Sequence, residues 1–219
     1  MSVYVTGIPT AEDTFSHLAD GVTLDDDDIV ICLGDAQLAD HSDLSKARLD
    51  SLGNLGCEVA VLRGANERRY WKELIKAGQG EPLFDLWCGN WSLSLPDYPQ
   101  IHFLPDAGGF FDMMGLIVLM LPSAMIGPDF SFYGQKPMLD LAVADKMWAL
   151  TTEIDGCYPS LVMSYSQPSP SSDEPDEEFM AEMREMGGIS DVTWLYSAGH
   201  EPVQPNSVYC PGDCLHLIC

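Results

Sequence analysis

Asp35 stands directly after the apolar run Ile29-Val-Ile-Cys-Leu33, in a Gly34-Asp35 step. A second run, Cys57-Glu-Val-Ala-Val-Leu62, opens in the same way onto Arg63-Gly-Ala-Asn-Glu67, and His200 follows Gly199 late in the chain. Carboxylate oxygens and imidazole nitrogens are the donors that hold divalent ions and move protons near neutral pH. Arg63, with Arg68 and Arg69 close behind, clusters cations in a chain that has only 10 Lys and Arg. Beside Asn66 such a cluster can hold an anion, helped by the N–H groups of a helix start, or it can pair with the abundant carboxylates.

Two further strings carry chemistry. Asp40-His41-Ser42-Asp43 offers metal ligands just after Asp35, or a solvated loop in which Ser42 or Asp43 caps the next helix. Cys210-Pro-Gly-Asp-Cys214-Leu-His216-Leu-Ile-Cys219 places three thiols and an imidazole within ten residues. Its spacing departs from the tight knuckles of structural zinc sites, and the alternative is a set of buried thiols. The sequence holds no G-x-x-x-x-G-K loop and no serine nucleophile elbow.

The elements that must position these residues alternate. Val3-Tyr-Val-Thr-Gly7 is a short strand, and Thr10-Ala-Glu-Asp13 has the spacing of a capping box with Thr10 as N-cap. The second and third apolar runs read as strands covered on both faces. Leu44, Ala47, Leu49, Leu52 and Leu55 predict a helix between them, and Tyr70 to Ile75 predicts another. Strand-turn-helix units in series argue for a sheet with helices on its faces, with the site at the strand ends.

Beyond residue 100 the pattern changes. Ile101 to Leu104, Phe110 to Met114 and Leu116 to Leu121 read as strands with short connections, which predicts an antiparallel section. Helices are predicted at 139–150 and 177–186, strands at 160–163 and 192–196, and a final pair of strands around Val208-Tyr209 and Cys214 to Ile218. The polar, acidic stretch at 167–178 reads as a mobile loop.

Taken in order, the strand ends read Gly7-Ile-Pro-Thr-Ala11, Gly34-Asp35, Gly64-Ala-Asn-Glu67, Ser164-Tyr165, Gly199-His-Glu-Pro202 and Cys210-Pro-Gly-Asp213. This order resembles that of the calcineurin-like metallophosphoesterases, notably the small prokaryotic type, over nearly the whole chain. The resemblance implies an α/β/β/α sandwich of two mixed sheets flanked by helices, in one domain over residues 1–219. It also implies a phosphoesterase centre in which two ions roughly 3.5–4 Å apart clamp a phosphate ester. Carried over position by position, the family's ligands are kept at Asp35 and His200. They are replaced by Ile8, Thr10, Ala65, Tyr165 and Pro202, and Asn66 stands where the family has its proton-donating histidine. Isoleucine, alanine and proline cannot coordinate, and an amide does not exchange protons in the imidazole range. The resemblance so altered implies a degenerate metal site and a pseudoenzyme.

Composition bounds the rest. The 219 residues carry 34 Asp and Glu against 10 Lys and Arg, a formal charge of −24, so binding to a nucleic-acid backbone is disfavoured. A hydrophobic fraction of 46% with 20% charged residues is that of a folded chain. The longest apolar run, Gly115 to Leu121, is too short to span a bilayer, no signal peptide is visible, and seven cysteines in apolar surroundings suit a reducing compartment, so a cytoplasmic protein is expected.

The expected function is binding of a protein partner or a phosphate-bearing ligand, with no cofactor. The first alternative is a metal-dependent phosphatase or phosphodiesterase with a rebuilt centre, in which Asp35, His200 and the Asp40-His41 loop hold one weakly bound Mn, Fe or Zn ion. The second is an acidic interaction protein that uses the fold as scaffold, presenting the Asp25 to Asp28 run and the 167–178 loop to a basic partner.

Overall fold

A computed structural model describes residues 1–7, 9–77, 79–82, 91–104, 109–113, 116–121, 161–166, 193–198 and 207–218. The fold is mixed α/β, with two sheets and few helices among the described residues. The chain divides into two compact units. One comprises Met1–Phe84, Gly89–Pro105 and Cys210–Cys219, the other Asp85–Cys88 and Asp106–Tyr209. The helices expected at 139–150 and 177–186 and the loop at 167–178 lie outside the described residues.

The first unit is built on a seven-stranded sheet. Strands β1 (Val3–Thr6), β2 (Ile29–Cys32), β3 (Glu58–Val61) and β6 (Tyr98–Phe103) lie side by side and parallel. Thr6, Cys32, Val61 and Phe103 are in register, so β1, β2 and β3 release their following loops at one edge. Beyond β6 the hairpins of β5 (Trp91–Leu95) and β4 (Gln79–Pro82) extend the sheet antiparallel. On the other flank β12 (His216–Leu217) pairs antiparallel with β1.

The continuous apolar runs are explained by burial on both faces. Val30, Cys32, Val59, Val61, Ile101 and Phe103 form a core with Leu49 and Leu52 of α1 (Asp43–Gly53) and Leu74 of α3 (Trp71–Ala77). Val3, Val5, Ile29, Ile31 and Ala60, on the opposite face, are equally buried. Ser42 caps α1, accepting from Ser45 N at 3.0 Å, as one of the two expected caps. The helix expected at 70–75 is realised as α2 (Ala65–Arg69) and α3, separated at Tyr70.

The second unit holds a five-stranded sheet. Here β7 (Gly109–Met113) and β8 (Leu116–Leu121) are antiparallel, as the sequence predicts, while β9 (Leu161–Ser166), β10 (Thr193–Ala198) and β11 (Ser207–Tyr209) continue it parallel.

Two expectations are corrected. Ile101 to Leu104 does not open the antiparallel section with Phe110 to Met114, since β6 lies parallel to β3 in the seven-stranded sheet. The last two strands form where the sequence predicts, β11 beside β10 and β12 beside β1. Pro211 separates them, and its carbonyl accepts from Gly7 N at 2.9 Å, which turns the chain back onto β1. The capping box at Thr10 starts no helix either. Residues 11–21 form turns, and Thr10 is exposed. Asp13 spends its carboxylate on Phe15 N at 2.7 Å, and Phe15 adopts a positive φ of 62° that no helix tolerates.

The carbonyls of that segment go instead to Arg48. Its guanidinium is fully buried and donates to Thr10 O at 2.7 Å, Asp13 O at 2.7 Å, Ala36 O at 3.2 Å and Gln37 Oε1 at 3.0 Å, with the Phe15 ring 5.9 Å away. One side chain thereby ties the loop after β1 to the loop after β2. Arg48→Met removes the donor and leaves several carbonyls facing an apolar stem. At about 1–3 kcal/mol for each buried unsatisfied group, a loss of about 3–5 kcal/mol is expected in chemical denaturation. A loss below about 1 kcal/mol would show that water replaces the guanidinium.

Candidate functional site at the strand ends

The loops released by β1, β2 and β3 meet because glycine allows their backbones to touch. A Cβ on Gly64 would lie 2.0 Å from Asp35 N, and one on Gly7 would lie 1.8 Å from the Cys210 carbonyl oxygen. Gly34 has a φ of 103°, and beyond it Asp35, Gln37 and His41 all sit at positive φ, between 51° and 58°. Non-glycine residues reach this region at a cost, and strained backbone of this kind concentrates at functional sites.

Within this framework Asp35, Asn66, Asp40 and Glu67 each hold backbone N–H groups. Asp35 is half-buried, and its Oδ1 accepts from Asn66 N at 2.8 Å, near the start of α2. Asn66 Oδ1 accepts from Ala39 N at 3.1 Å, and the Asn66 side chain stands close enough to the Asp40 carboxylate to favour its charge. Asp40 accepts from Ser42 N at 3.0 Å and Ser42 Oγ at 2.7 Å. Burial works against the charge on Asp40, but these donors, with Arg48 nearby, hold its carboxyl below the ordinary carboxylate range.

Glu67 completes the network. Fully buried, it accepts from Leu38 N at 3.1 Å through Oε1 and from Gly64 N at 3.0 Å through Oε2. The third motif therefore grips the loop after β2 at two successive residues, Leu38 through Glu67 and Ala39 through Asn66.

The expected site residues separate accordingly. Asp35, Asn66 and Asp40 are brought together, with Asp35 bonded through the Asn66 backbone. Arg63 is 7% exposed at the end of β3, which does not make it an open surface cation. His41 is exposed and lines a groove of about 410 Å³ with Leu38, Lys46, Leu49 and Leu74. Thr10 contributes its carbonyl rather than a cap. Ile8, His200 and Pro202 lie outside the described residues, and of Ala65 and Tyr165 only the backbone is described, in α2 and β9. Among the described residues no three His, Cys, Asp or Glu side chains are grouped to hold a metal ion.

The acidic run at 25–28 also divides. Asp25, Asp26 and Asp27 are exposed, but Asp28 is buried and accepts from Asp25 N and Ser2 N, which hold its carboxyl below the usual range. It pins the entries to β1 and β2 instead of facing a partner. Cys32, Cys57 and Cys210 are buried thiols, pushed up to about 12, 11 and 11 mainly by burial, whereas Cys214 is exposed.

Sequence reasoning did not single out Arg48 or Glu67. The signal for Arg48 was a cation four residues before Leu52 on the helix's apolar stripe, in a chain poor in cations. A second polar set, Ser92 Oγ to His102 Nδ1 at 3.0 Å and His102 Nε2 to Glu58 Oε2 at 2.6 Å, has the composition of a hydrolase triad. Ser92 is fully buried in β5, so the set is a staple across β5, β6 and β3 and not a nucleophile open to substrate.

No family model matches this chain, and no curated protein matches it. Among the described residues no helix is long and apolar enough to cross a membrane.

Burial, with the charge of Asp35 behind it, pushes Glu67 up to about 7, against the two backbone N–H groups that favour its charged form. The folded value lies above the ordinary one of 4.5, so folding favours the protonated acid. The stability this group contributes is full below its unfolded pKa and is lost as pH rises through about 7. Glutamine does not titrate. The stability of wild type relative to Glu67→Gln should therefore fall by about 2–3 kcal/mol from acidic pH to about pH 8, measured by denaturation across that range. A difference independent of pH would mean that folding leaves the Glu67 pKa at its ordinary value.

Proposed function

We propose that this chain is a metallophosphoesterase-like protein, an α/β/β/α sandwich whose two-metal centre has been lost, and that it acts by binding a protein partner or a phosphate-bearing ligand. The order of the strand-end motifs supports the family reading. So do the parallel β1, β2 and β3, whose loops meet at one edge, and the return of Cys210-Pro-Gly to Gly7.

The observation that carries the loss of chemistry is the use made of Asn66. At the position of the family's proton donor, its carbonyl oxygen takes Ala39 N, and the side chain stands beside the Asp40 carboxylate. The side chain is used in holding a loop, and an amide has no proton to give a leaving group near pH 7. The bonds of that loop weaken the rebuilt-centre alternative. Asp40, one of the two ligands that this alternative offers, is already engaged by Ser42, and His41, the other, is exposed.

The test is turnover. Purified protein supplied with Mn²⁺ or Zn²⁺ should hydrolyse aryl phosphomonoesters and diesters no faster than buffer, and Asp35→Ala should leave that background unchanged. Hydrolysis above background that disappears in Asp35→Ala would overturn the proposal and assign a working centre to this edge of the sheet.

A further inference from the structure

The bend before the last strand and the strand's first residue set together a pair of side chains that the network at the strand ends does not use. Cys214 Sγ lies 3.5 Å from His216 Nε2. The two residues flank Leu215, which packs against the core, with Cys214 in the bend that precedes β12 and His216 at its start. Cys214 is exposed and His216 half-buried, so both donors are accessible from solvent.

Their spacing has a chemical meaning. A tetrahedral zinc ion with Zn–S of about 2.3 Å and Zn–N of about 2.0–2.1 Å holds its sulfur and nitrogen ligands about 3.5 Å apart. The pair thus already stands at the bite of a chelate. Its surroundings keep it there. On one side Gly7 N bonds to Pro211 O at 2.9 Å; on the other Ile218 N bonds to Val3 O at 2.8 Å, and His216 is in register with Val5. The neighbouring Asp213 carboxylate brings negative charge to the same thiol, and the buried Cys210 thiol is within electrostatic range.

We propose that Cys214 and His216 form a surface chelate for a thiophilic divalent cation of the zinc class, with water completing its coordination. On binding, the thiol proton passes to solvent, a metal–sulfur bond forms, and neutral His216 donates the Nε2 lone pair. The site belongs to the turn that closes the sheet on β1 and is independent of the fate of Asp35.

Cadmium is the probe, because thiolate-to-cadmium charge transfer gives an ultraviolet band. Titration of the intact protein should develop this band with the first equivalent, and Zn²⁺ should compete it away. Cys214→Ser should remove that equivalent, and His216→Gln should weaken it by roughly tenfold or more. Thermal melting of both apo variants controls for folding and should match wild type. The proposal is overturned if no band forms at one equivalent, or if the band persists in both variants. It is also overturned if His216→Gln binds as wild type does, since a lone thiol is then the ligand.

Discussion

Arg48 carries its positive charge where no solvent reaches, and the larger sheet's loop edge is arranged around that fact. A buried guanidinium must find acceptors for its N–H groups, and it takes them from Thr10, Asp13, Ala36 and Gln37. Those acceptors belong to the loops after β1 and β2, so one requirement fixes both. It also explains the failure of residues 11–21 to become a helix. The Thr10 and Asp13 carbonyls face the guanidinium, and Phe15, at positive φ, brings its ring near the same group.

From this anchor the remaining polar groups follow as a closed set. The loop after β2 leaves the sheet through Gly34 and three strained residues, which must be held from outside, and α2 does this with Asn66 and Glu67. The carboxylate of Asp35 in turn holds the Asn66 backbone. The side chains of this edge face N–H groups of their own chain, which fixes its loops.

The sequence disclosed strands well and the ends of strands poorly. Continuous apolar runs bounded by glycine located β1, β2 and β3, because burial on both faces leaves no other composition available. Ser42 was readable as a possible cap because its signal is local. The capping box at Thr10 was equally well formed and was overridden, since the competing hydrogen bonds came from Arg48, 38 positions away from Thr10. The hairpins of β4 and β5 went unread. Their segments, Gln79–Pro82 and Trp91–Leu95, are short, and the first carries both glycine and proline.

By itself, then, the sequence determined the residues that cannot coordinate or exchange protons, the acidic charge of −24, and the alternation that builds an α/β sheet. Those are properties of side-chain chemistry and of local period, present before the chain folds. Tertiary structure decided what each polar residue at the sheet edge was for: Asp28 a lock on two strand entries, Glu67 a buried clamp, Asn66 a loop staple and Arg48 the anchor. It also decided that the final strand turns back to β1 and sets Cys214 beside His216. A buried polar group has no identity apart from the partner that satisfies it, and these partners arrive from far along the chain.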